Sequence, residues 1–282
     1  MILYKKAADT HNWIEKERLK KKKIGFVPTM GALHEGHISL IETSKGSNDH
    51  TICSIFINPT QFNDPKDFAK YPVSLEKDLQ LLEEAGCDFL FLPDVNEMYP
   101  DGLAQTNNYK IGRLETLLEG KFRPGHFQGV CQVVHRLLEI ILPNNLYIGQ
   151  KDYQQCLVIK KLLQLIGLDD KIELRICPTL REPDGLAMSS RNLRLNDEER
   201  KRAPAIYETL LFIQSQKGKK TTVEIKKQAK AKLEARGFRV DYTEIADAIT
   251  LETADGWSEN KKLVALIAAF NNEVRLIDNL LL

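Results

Sequence analysis

The sequence lacks any long apolar run, and it lacks the pattern of a signal peptide. No stretch approaches the ~20 consecutive apolar residues that a bilayer-spanning helix needs. The segment Met1-Ile2-Leu3-Tyr4-Lys5-Lys6 contains neither an extended apolar region nor a small-residue cleavage site. These absences predict a cytoplasmic protein with no membrane partner.

Cysteine is sparse, and its spacing fits neither a disulfide framework nor a zinc site. The five cysteines are Cys53, Cys87, Cys131, Cys156 and Cys177, an odd number without a Cys-x-x-Cys pair. Disulfide-rich and zinc-binding domains carry paired cysteines at short, regular spacings. We therefore predict reduced cysteines that pack as small hydrophobic side chains and have no catalytic role.

An excess of charge of one sign is also absent. The 282 residues include 40 lysines and arginines against 39 aspartates and glutamates, so the net charge is +1. This balance gives no support for bulk nucleic-acid binding, which needs a strongly basic surface. Hydrophobic residues make up 43% and charged residues 28%, as in a soluble globular protein with one large domain or two ordinary ones.

Two familiar nucleotide-binding motifs are missing as well. The chain has neither Gly-x-Gly-x-x-Gly nor Gly-x-x-x-x-Gly-Lys-Ser/Thr. Its most informative segment is instead Pro28-Thr29-Met30-Gly31-Ala32-Leu33-His34-Glu35-Gly36-His37. The apolar run at 24–27 predicts a buried strand before it, and the amphipathic stretch at 38–45 predicts a helix after it. A strand, a glycine-containing turn and a helix N-terminus in this order predict an anion site with free backbone N–H groups.

Two histidines, His34 and His37, bracket Gly36 at the start of this helix. Residues three apart lie on the same side of the first helical turn, and the glycine leaves room for a phosphate to approach the backbone. A lone histidine at a helix start is more often a cap or a surface residue, but a pair directly after a strand favours a functional interpretation. The spacing indicates a nucleoside triphosphate site for nucleotidyl transfer rather than hydride or kinase chemistry.

Strand-like and helical patterns alternate through the first 180 residues. The predicted strands are 24–27, 51–57, 88–92, 146–148 and 172–177, and the predicted helices are 38–45, 74–84, 130–141 and 153–165. Such alternation indicates a parallel sheet with right-handed crossovers, in which ligands bind beyond the carboxyl ends of the strands. We predict the α/β class, with a Rossmann-like parallel sheet nucleotidyltransferase domain over residues 1–180.

The pattern changes after about residue 180. Asn196-Asp197-Glu198-Glu199 predicts the cap of a helix that runs through Tyr207 to Ile213, and a polar linker at 215–220 leads to a second helix at 223–236. Strand-like runs follow at 240–246, 263–270 and 274–280. These elements predict a smaller C-terminal α+β domain, residues 181–282, that closes over the active site. The lysines at 226–232 alternate with apolar residues as on a solvated helix face, so we predict no nucleic-acid partner.

Four further segments combine polar side chains with turn residues. They are Asn58-Pro59-Thr60-Gln61-Phe62, Arg123-Pro124-Gly125-His126-Phe127, Gly149-Gln150-Lys151-Asp152 and Asp184-Gly185-Leu186-Ala187-Met188-Ser189-Ser190-Arg191-Asn192. An Asn-Pro turn for Asn58, a solvated charge for Arg123 and a helix cap for Asp152 are open alternatives to ligand binding. The Met-Ser-Ser-Arg sequence supplies two hydroxyls and a guanidinium that would close over a triphosphate. A similar loop accompanies His-x-Gly-His in nucleotidyl-transferring enzymes of the class I aminoacyl-tRNA synthetase type.

Together these five segments, in this order over essentially the whole chain, resemble the pantoate–β-alanine ligase family. One departure is Val73 after Tyr71-Pro72, where the family often carries arginine. The resemblance implies an ATP-dependent ligase in which the pantoate carboxylate attacks the α-phosphorus of ATP, giving pantoyl adenylate and pyrophosphate. The amine of β-alanine would then attack the adenylate, giving pantothenate and AMP. It also implies Mg²⁺ bound with the triphosphate, and a homodimer.

The resemblance further implies a role for each matching position. The catalytic residues would be His37, His34, Lys151 and Arg191, with His37 as the proton donor. ATP would contact Met30, Gly31, Ala32, Leu33, His34, Glu35, Gly36, His37, Gly149, Gln150, Lys151, Asp152, Leu180, Met188, Ser189, Ser190 and Arg191. Pantoate and β-alanine would contact Gln61, Gln155, Asn58 and Arg123, with Tyr71 as a further candidate.

Two other functions are compatible with parts of the pattern. A nucleotidyltransferase that stops at an adenylated product also needs the His-x-Gly-His element, although Gln61 and Gln155 favour a small-acid pocket that protects an adenylate from water. A catalytically silent nucleotide sensor or RNA-binding module is a second alternative. The near-neutral charge and the intact histidines, lysine and arginine weigh against it.

Overall fold

The computed structural model describes residues 1–103, 107–257 and 260–282 and contains two separate sheets. The strands are β1 (Ile2–Tyr4), β2 (Ile24–Thr29), β3 (His50–Ile55), β4 (Phe89–Phe91), β5 (Asn145–Gly149), β6 (Glu173–Cys177), β7 (Arg239–Asp247), β8 (Leu263–Asn271) and β9 (Val274–Leu281). The helices are α1 (Ala7–Leu19), α2 (Glu35–Lys45), α3 (Pro65–Ala69), α4 (Leu75–Glu84), α5 (Val95–Met98), α6 (Leu118–Phe122), α7 (His126–Ile141), α8 (Tyr153–Leu165), α9 (Asp197–Arg202), α10 (Ala205–Ser215) and α11 (Thr222–Glu234). Short 3-10 turns lie at Pro59–Gln61, Gly112–Glu115, Gln150–Asp152 and Ser190–Arg194.

The larger sheet has the strand order β1-β4-β3-β2-β5-β6, and each pair of adjacent strands is parallel. The chain proceeds from β2 through β3 to β4 on one side, and then returns to place β5 and β6 on the other. The order therefore reverses between β2 and β5. A ligand crevice forms at such a switch point, beyond the carboxyl ends of the strands.

Helices cover both faces of this sheet. Phe26 and Val27 are consecutive in β2, and because side chains alternate along a strand they enter two different cores. Phe26 packs in a cluster with Ile14 and Leu138, whereas Val27 packs in a second cluster that includes Leu40. The predicted α/β class is thereby confirmed, and the five cysteines are buried and unpaired, as the sequence indicates.

The smaller sheet is antiparallel, with the order β7-β8-β9. Its core contains Ile245 and Ile267 from the strands, Leu210 from α10 and Ile225 from α11. This confirms the predicted α+β character of the C-terminal part. In the described ranges, no helix has both the length and the apolar character that a bilayer crossing requires.

The sequence prediction differs from the structure at several places. The single helix predicted from residue 197 to Ile213 is two helices, because Pro204 has no N–H group to continue the first one. Its predicted N-terminus is confirmed by reciprocal hydrogen bonds between Asn196 and Glu199. The sequence prediction also missed β1 and α1, and it began α2 three residues late, at residue 38 instead of Glu35.

Candidate functional site

A cavity of about 230 Å³ lies at the switch point, between the segments that follow β2 and β5. Most residues that the sequence predicted for the site line it. They are Met30, His34, Gly36, His37, Asn58, Gln61, Tyr71, Arg123, Gly149, Lys151, Asp152, Gln155, Leu180, Met188, Ser189, Ser190 and Arg191. Gly31, Ala32, Leu33, Glu35 and Gln150 are not among the lining residues. The topology thus brings together side chains from segments that lie far apart in the sequence.

The two histidines cap the first turn of α2. The Gly36 N–H donates to Nδ1 of His34 at 3.1 Å, and the His34 N–H donates to Nδ1 of His37 at 3.3 Å. These bonds assign both rings to the tautomer that carries its hydrogen on Nε2. The ring centroids are 4.0 Å apart. A Cβ at Gly36 would lie 2.9 Å from Nδ1 of His34, so the glycine makes room for this ring.

Both imidazoles are neutral near pH 7. Burial lowers the pKa of His34 to about 4, with a further contribution from the positive charge of Lys151. Burial, together with His34 and Lys151, also lowers the pKa of His37 well below its usual value. Each ring therefore presents a neutral Nε2–H donor.

A buried carboxylate holds the turn that precedes the histidines. Asp78, which is 1% exposed, accepts the N–H groups of Ala32 and Leu33 at 2.8 Å each and the Ser74 hydroxyl at 3.0 Å. Ala32 has a φ of +49°, a region that non-glycine residues occupy at a cost unless the surroundings enforce it. The expectation of free N–H groups at this turn is therefore wrong for Ala32 and Leu33, because Asp78 already accepts both.

The loop that carries Ser190 and Arg191 is docked on this turn and on α3. The Ser190 hydroxyl donates to the carbonyl of Ala32 at 2.9 Å. Asp67 pairs with Arg191 and with Arg194 at 2.7 Å each. In the sequence, 124 and 127 positions separate these partners, so no local pattern pointed to Asp67.

Asn58 and Gln61 are joined by hydrogen bonds on the opposite wall. The Asn58 amide donates to Oε1 of Gln61 and to the carbonyl of Gly129, both at 3.2 Å, and its oxygen accepts the Tyr99 hydroxyl at 2.7 Å. Asn58 is thus a buried, fully engaged residue that orients Gln61. Gly129 permits this arrangement, because a Cβ there would lie 2.3 Å from the carbonyl of Thr60.

Arg123 is linked to the same wall through His126. Nη1 of Arg123 donates to Nε2 of His126 at 3.1 Å, and Nδ1–H of His126 donates to the carbonyl of Gln61 at 2.7 Å. Burial and the charge of Arg123 lower the pKa of His126 to about 3, so this ring is neutral. Arg123 is therefore not a solvated loop charge. The sequence analysis included His126 in one of its motifs, but it did not predict that His126 would connect Arg123 to the carbonyl of Gln61.

Lys151 and Asp152 follow β5 in the 3-10 turn. Lys151 Nζ lies 3.7 Å from Oδ2 of Asp152, and both residues line the cavity. Asp152 stands at the cap position of α8, but its side chain makes no capping hydrogen bond to that helix. The purely structural alternative for Asp152 therefore finds no support. Thr179 Oγ1 is buried at the same wall and has no hydrogen-bond partner within the described residues.

A second cavity of about 800 Å³ adjoins the first and extends toward the small sheet. The two share Arg123, Lys151, Asp152, Ser189 and Arg191. Three of these five side chains are cationic, so the passage between the cavities favours anions. In the described part of the chain, no group of three or more histidine, cysteine, aspartate or glutamate side chains is arranged to hold a metal ion.

Known proteins match this chain over nearly its whole length. The family model described as pantoate-beta-alanine ligase matches residues 2–281. A pantothenate synthetase of Bacteroides thetaiotaomicron is 45% identical over 264 residues, which are 93% of this chain and 92% of that protein.

Two crystal structures are similar over the same extent. Pantothenate synthetase from Thermus thermophilus is 41% identical, with a TM-score of 0.89 over 99% of both chains. Pantoate-beta-alanine ligase from Francisella tularensis, complexed with beta-gamma ATP and beta-alanine, is 40% identical, with a TM-score of 0.82 over 100% of this chain and 97% of that one. On the family match and these similarities, the chain belongs to the pantoate–β-alanine ligase family.

Proposed function

We propose that this chain condenses (R)-pantoate with β-alanine at the expense of ATP, through a pantoyl-adenylate intermediate, in the biosynthesis of vitamin B5 and coenzyme A. Family membership and the ligands of the Francisella structure support the reaction class. The observation that carries the proposal is that one cavity is lined both by groups that can bind a polyanion and by groups that can bind a small polar acid. His34, His37 and Lys151 offer donors to a polyanion, and Gln61 and Gln155 offer amides to a small polar acid.

ATP fits the wall formed by the segments after β2, β5 and β6. We place the triphosphate against His34, His37, Lys151 and the loop from Met188 to Arg191. The ribose lies near Asp152, and the adenine lies near Leu180, where the Thr179 hydroxyl offers a buried polar contact. Met30 to Leu33 supply the backbone behind the phosphates.

In the first step, a carboxylate oxygen of pantoate attacks the α-phosphorus of ATP. The new bond is carboxylate oxygen to phosphorus, and the bond from the α-phosphorus to the bridging oxygen breaks as pyrophosphate leaves. No proton is transferred, because the nucleophile is already an anion. The two Nε2–H groups and the cations of Lys151 and Arg191 stabilise the charge that develops on the phosphate oxygens. We therefore assign His37 to hydrogen-bond donation rather than to proton transfer.

In the second step, the neutral amine of β-alanine attacks the carbonyl carbon of the mixed anhydride. The carbon–nitrogen bond forms, the bond between the carbonyl carbon and the phosphate oxygen breaks, and AMP leaves with that electron pair. The amine releases one proton to solvent. The larger cavity gives β-alanine a route to the anhydride past Arg123 while the docked loop covers the phosphates.

Magnesium fits this site as an ion bound chiefly by the triphosphate. Asp152 is the one carboxylate among the described lining residues of the smaller cavity, and Mg²⁺ in phosphate sites typically uses one or two carboxylates. When bound, the ion would neutralise phosphate charge. We also propose that the enzyme is a homodimer, which the family resemblance supports, and that it is cytoplasmic.

Pyrophosphate release tests the proposal. ATP and pantoate are incubated with and without β-alanine, the products are identified, and exchange of labelled pyrophosphate into ATP is followed without β-alanine. Pantoate-dependent exchange, with pantothenate and AMP formed only when β-alanine is added, supports the two-step ligase. Exchange without any amine-dependent AMP indicates an enzyme that stops at the adenylate, and ATP binding without turnover indicates a nucleotide sensor.

A variant at Lys151 sharpens this test. Lys151→Ala removes a preorganised cation, and pyrophosphate release is expected to fall by on the order of 100-fold or more. Lys201→Ala is the control, because Lys201 is exposed and pairs with Glu198 on α9, away from both cavities. Normal release from folded Lys151→Ala protein would overturn the role assigned to Lys151.

A further inference from the structure

We propose that Asn279, in strand β9 of the small sheet, is a positioning residue for Lys151. On this proposal, the small sheet does more than cover the site, because it also contributes a residue that positions Lys151. This inference rests on the proposed function in one respect, since it takes Lys151 to act on the phosphates of ATP.

Both the nitrogen and the oxygen of the Asn279 side-chain amide form hydrogen bonds with the turn that carries Lys151. The residue is 2% exposed. Its Nδ2 donates to the carbonyl oxygens of Gln150 and Lys151, at 2.9 Å in each case, and its Oδ1 accepts Nε2 of Gln150 at 3.2 Å. Both amide hydrogens are thereby used, so the orientation of the side chain is fixed.

These two carbonyls belong to the peptide planes on either side of the Lys151 Cα. When both planes are held, the backbone dihedral angles of Lys151 are held as well. The side chain itself has weak support, because its ammonium group lies 3.7 Å from Asp152 and the described residues include no nearer ion-pair partner. A lysine side chain is long and flexible. Its reach into the cavity therefore depends on the position of the backbone that Asn279 fixes.

Asn279 is itself anchored to the stem of the phosphate-binding loop. The Asn279 N–H donates to Oδ1 of Asp278 at 2.8 Å, and Asp278 accepts two hydrogen bonds from Arg181 at 2.6 and 3.0 Å. Arg181 precedes the loop that contains Arg191, and its guanidinium stacks on Tyr207 at 3.8 Å. One short stretch of β9 thus contacts both the turn that carries Lys151 and the stem of the loop that carries Arg191.

Asn279→Ala is the test, and Asn271→Ala is its matched control. Asn271 is the last residue of β8, is fully buried, donates to the carbonyl of Glu199 at 2.7 Å and accepts from Arg202 at 3.0 Å. Both variants remove a buried amide from the same sheet, but only one amide contacts the Lys151 turn. We expect Asn279→Ala to lower kcat/KM for ATP in pyrophosphate release by about 10- to 100-fold, as displacement of a catalytic group does. Asn271→Ala is expected to stay within about threefold of the unaltered enzyme, with a similar loss of Tm.

ATP affinity measured by calorimetry without pantoate separates this inference from the proposed function. If the unaltered protein binds ATP but makes no pantothenate, the substrate assignment fails. Weaker ATP binding by Asn279→Ala would still support the positioning role in that case. Unchanged ATP affinity and kcat/KM in folded Asn279→Ala protein would overturn that role, and so would an equal loss in Asn271→Ala. Asn279→Ser, which keeps one donor, is expected to give an intermediate value and serves if the alanine variant does not fold.

Discussion

The Nδ1 atoms of His34 and His37 both accept backbone N–H groups, and this contact decides their chemistry. Protonation at either Nδ1 would place two hydrogens face to face, in a site that already contains the charge of Lys151. The spacing of the histidines in the sequence predicted their place at a helix start. It did not predict their protonation state, which depends on burial and on a lysine from a distant segment of the chain.

Folding stability is expected to fall as the pH is lowered from 7 to 5.5. In the folded protein the pKa values of His34 and His126 are lowered to about 4 and about 3, whereas in the unfolded chain they lie near 6.5. Between these values the unfolded state binds more protons, so acidification favours unfolding. Each histidine contributes about 1 kcal/mol to the loss over this range. The free energy of unfolding in urea at pH 7 and pH 5.5 measures it.

The control for this pH dependence is His126→Gln. Glutamine does not titrate, so the variant is expected to lose less free energy of unfolding between pH 7 and 5.5 than the unaltered protein. Equal stability of the unaltered protein at both pH values would contradict the neutral state of the buried histidines.

Val73 is expected to have little influence on the reaction, although the family often carries arginine at this place. Its side chain is 75% exposed and lines neither of the two cavities described above. We expect Val73→Arg to change the KM values for ATP and pantoate by less than about twofold, and the free energy of unfolding by less than about 0.5 kcal/mol. Steady-state kinetics and urea denaturation measure both. A tenfold drop in either KM would show that an arginine here reaches the substrates.

At the scale of elements, the sequence located the segments that follow strands but not the carboxylates that hold them. Hydrophobic runs and turn residues are local signals, and they placed the motifs after β2, β3 and β5 correctly. Asp78 and Asp67 act across 45 and more sequence positions, on partners that only the folded chain brings near. Such contacts have no local pattern, and this is why both residues were missed.

Asp67, on the short helix α3, is expected to matter for ATP more than for pantoate. It binds Arg191 through Nε and Nη2, and within the described residues Nη1 of Arg191 makes no hydrogen bond and remains available to a phosphate. Asp67→Asn weakens this hold on Arg191, so we expect the KM for ATP to rise by about tenfold. The KM for pantoate should change by less than about twofold, and initial-rate kinetics with each substrate varied in turn will measure both.

Asp64→Asn is the matched control on the same helix. Asp64 caps α3 through the N–H of Lys66, and asparagine caps equally well. This variant is expected to keep both KM values. If Asp67→Asn left the KM for ATP unchanged, or raised the KM for pantoate equally, the contact with Arg191 would not serve the phosphate site.

At the scale of the whole molecule, a buried ion pair joins α6, in the part of the chain that contains the larger sheet, to the small sheet. Glu119 on α6 is 6% exposed and accepts two hydrogen bonds from Arg275 on β9, at 2.7 and 2.8 Å, and one from Tyr242. Burial alone would raise the pKa of Glu119, but Arg275 outweighs it and lowers the pKa to about 2. The sequence predicted two parts of different class. It held no sign of this junction, because the partners lie 156 positions apart.

Glu119→Gln is expected to loosen the junction between the sheets. Glutamine keeps the shape but removes one of the two carboxylates that pair with Arg275, and Asp241 remains at 2.8 Å from its Nε. The expected loss is therefore below the roughly 3 kcal/mol that an unpaired buried charge costs. Calorimetry should show a lower Tm, and a protease should cut residues 178–187 faster. Glu273→Gln is the control, because Glu273 forms a solvent-exposed pair with Lys70 across the same interface, and solvent screening leaves such a pair little effect on stability. Equal Tm losses in the two variants would contradict this prediction, because they would show that the buried Glu119 pair contributes no more to stability than the exposed Glu273 pair.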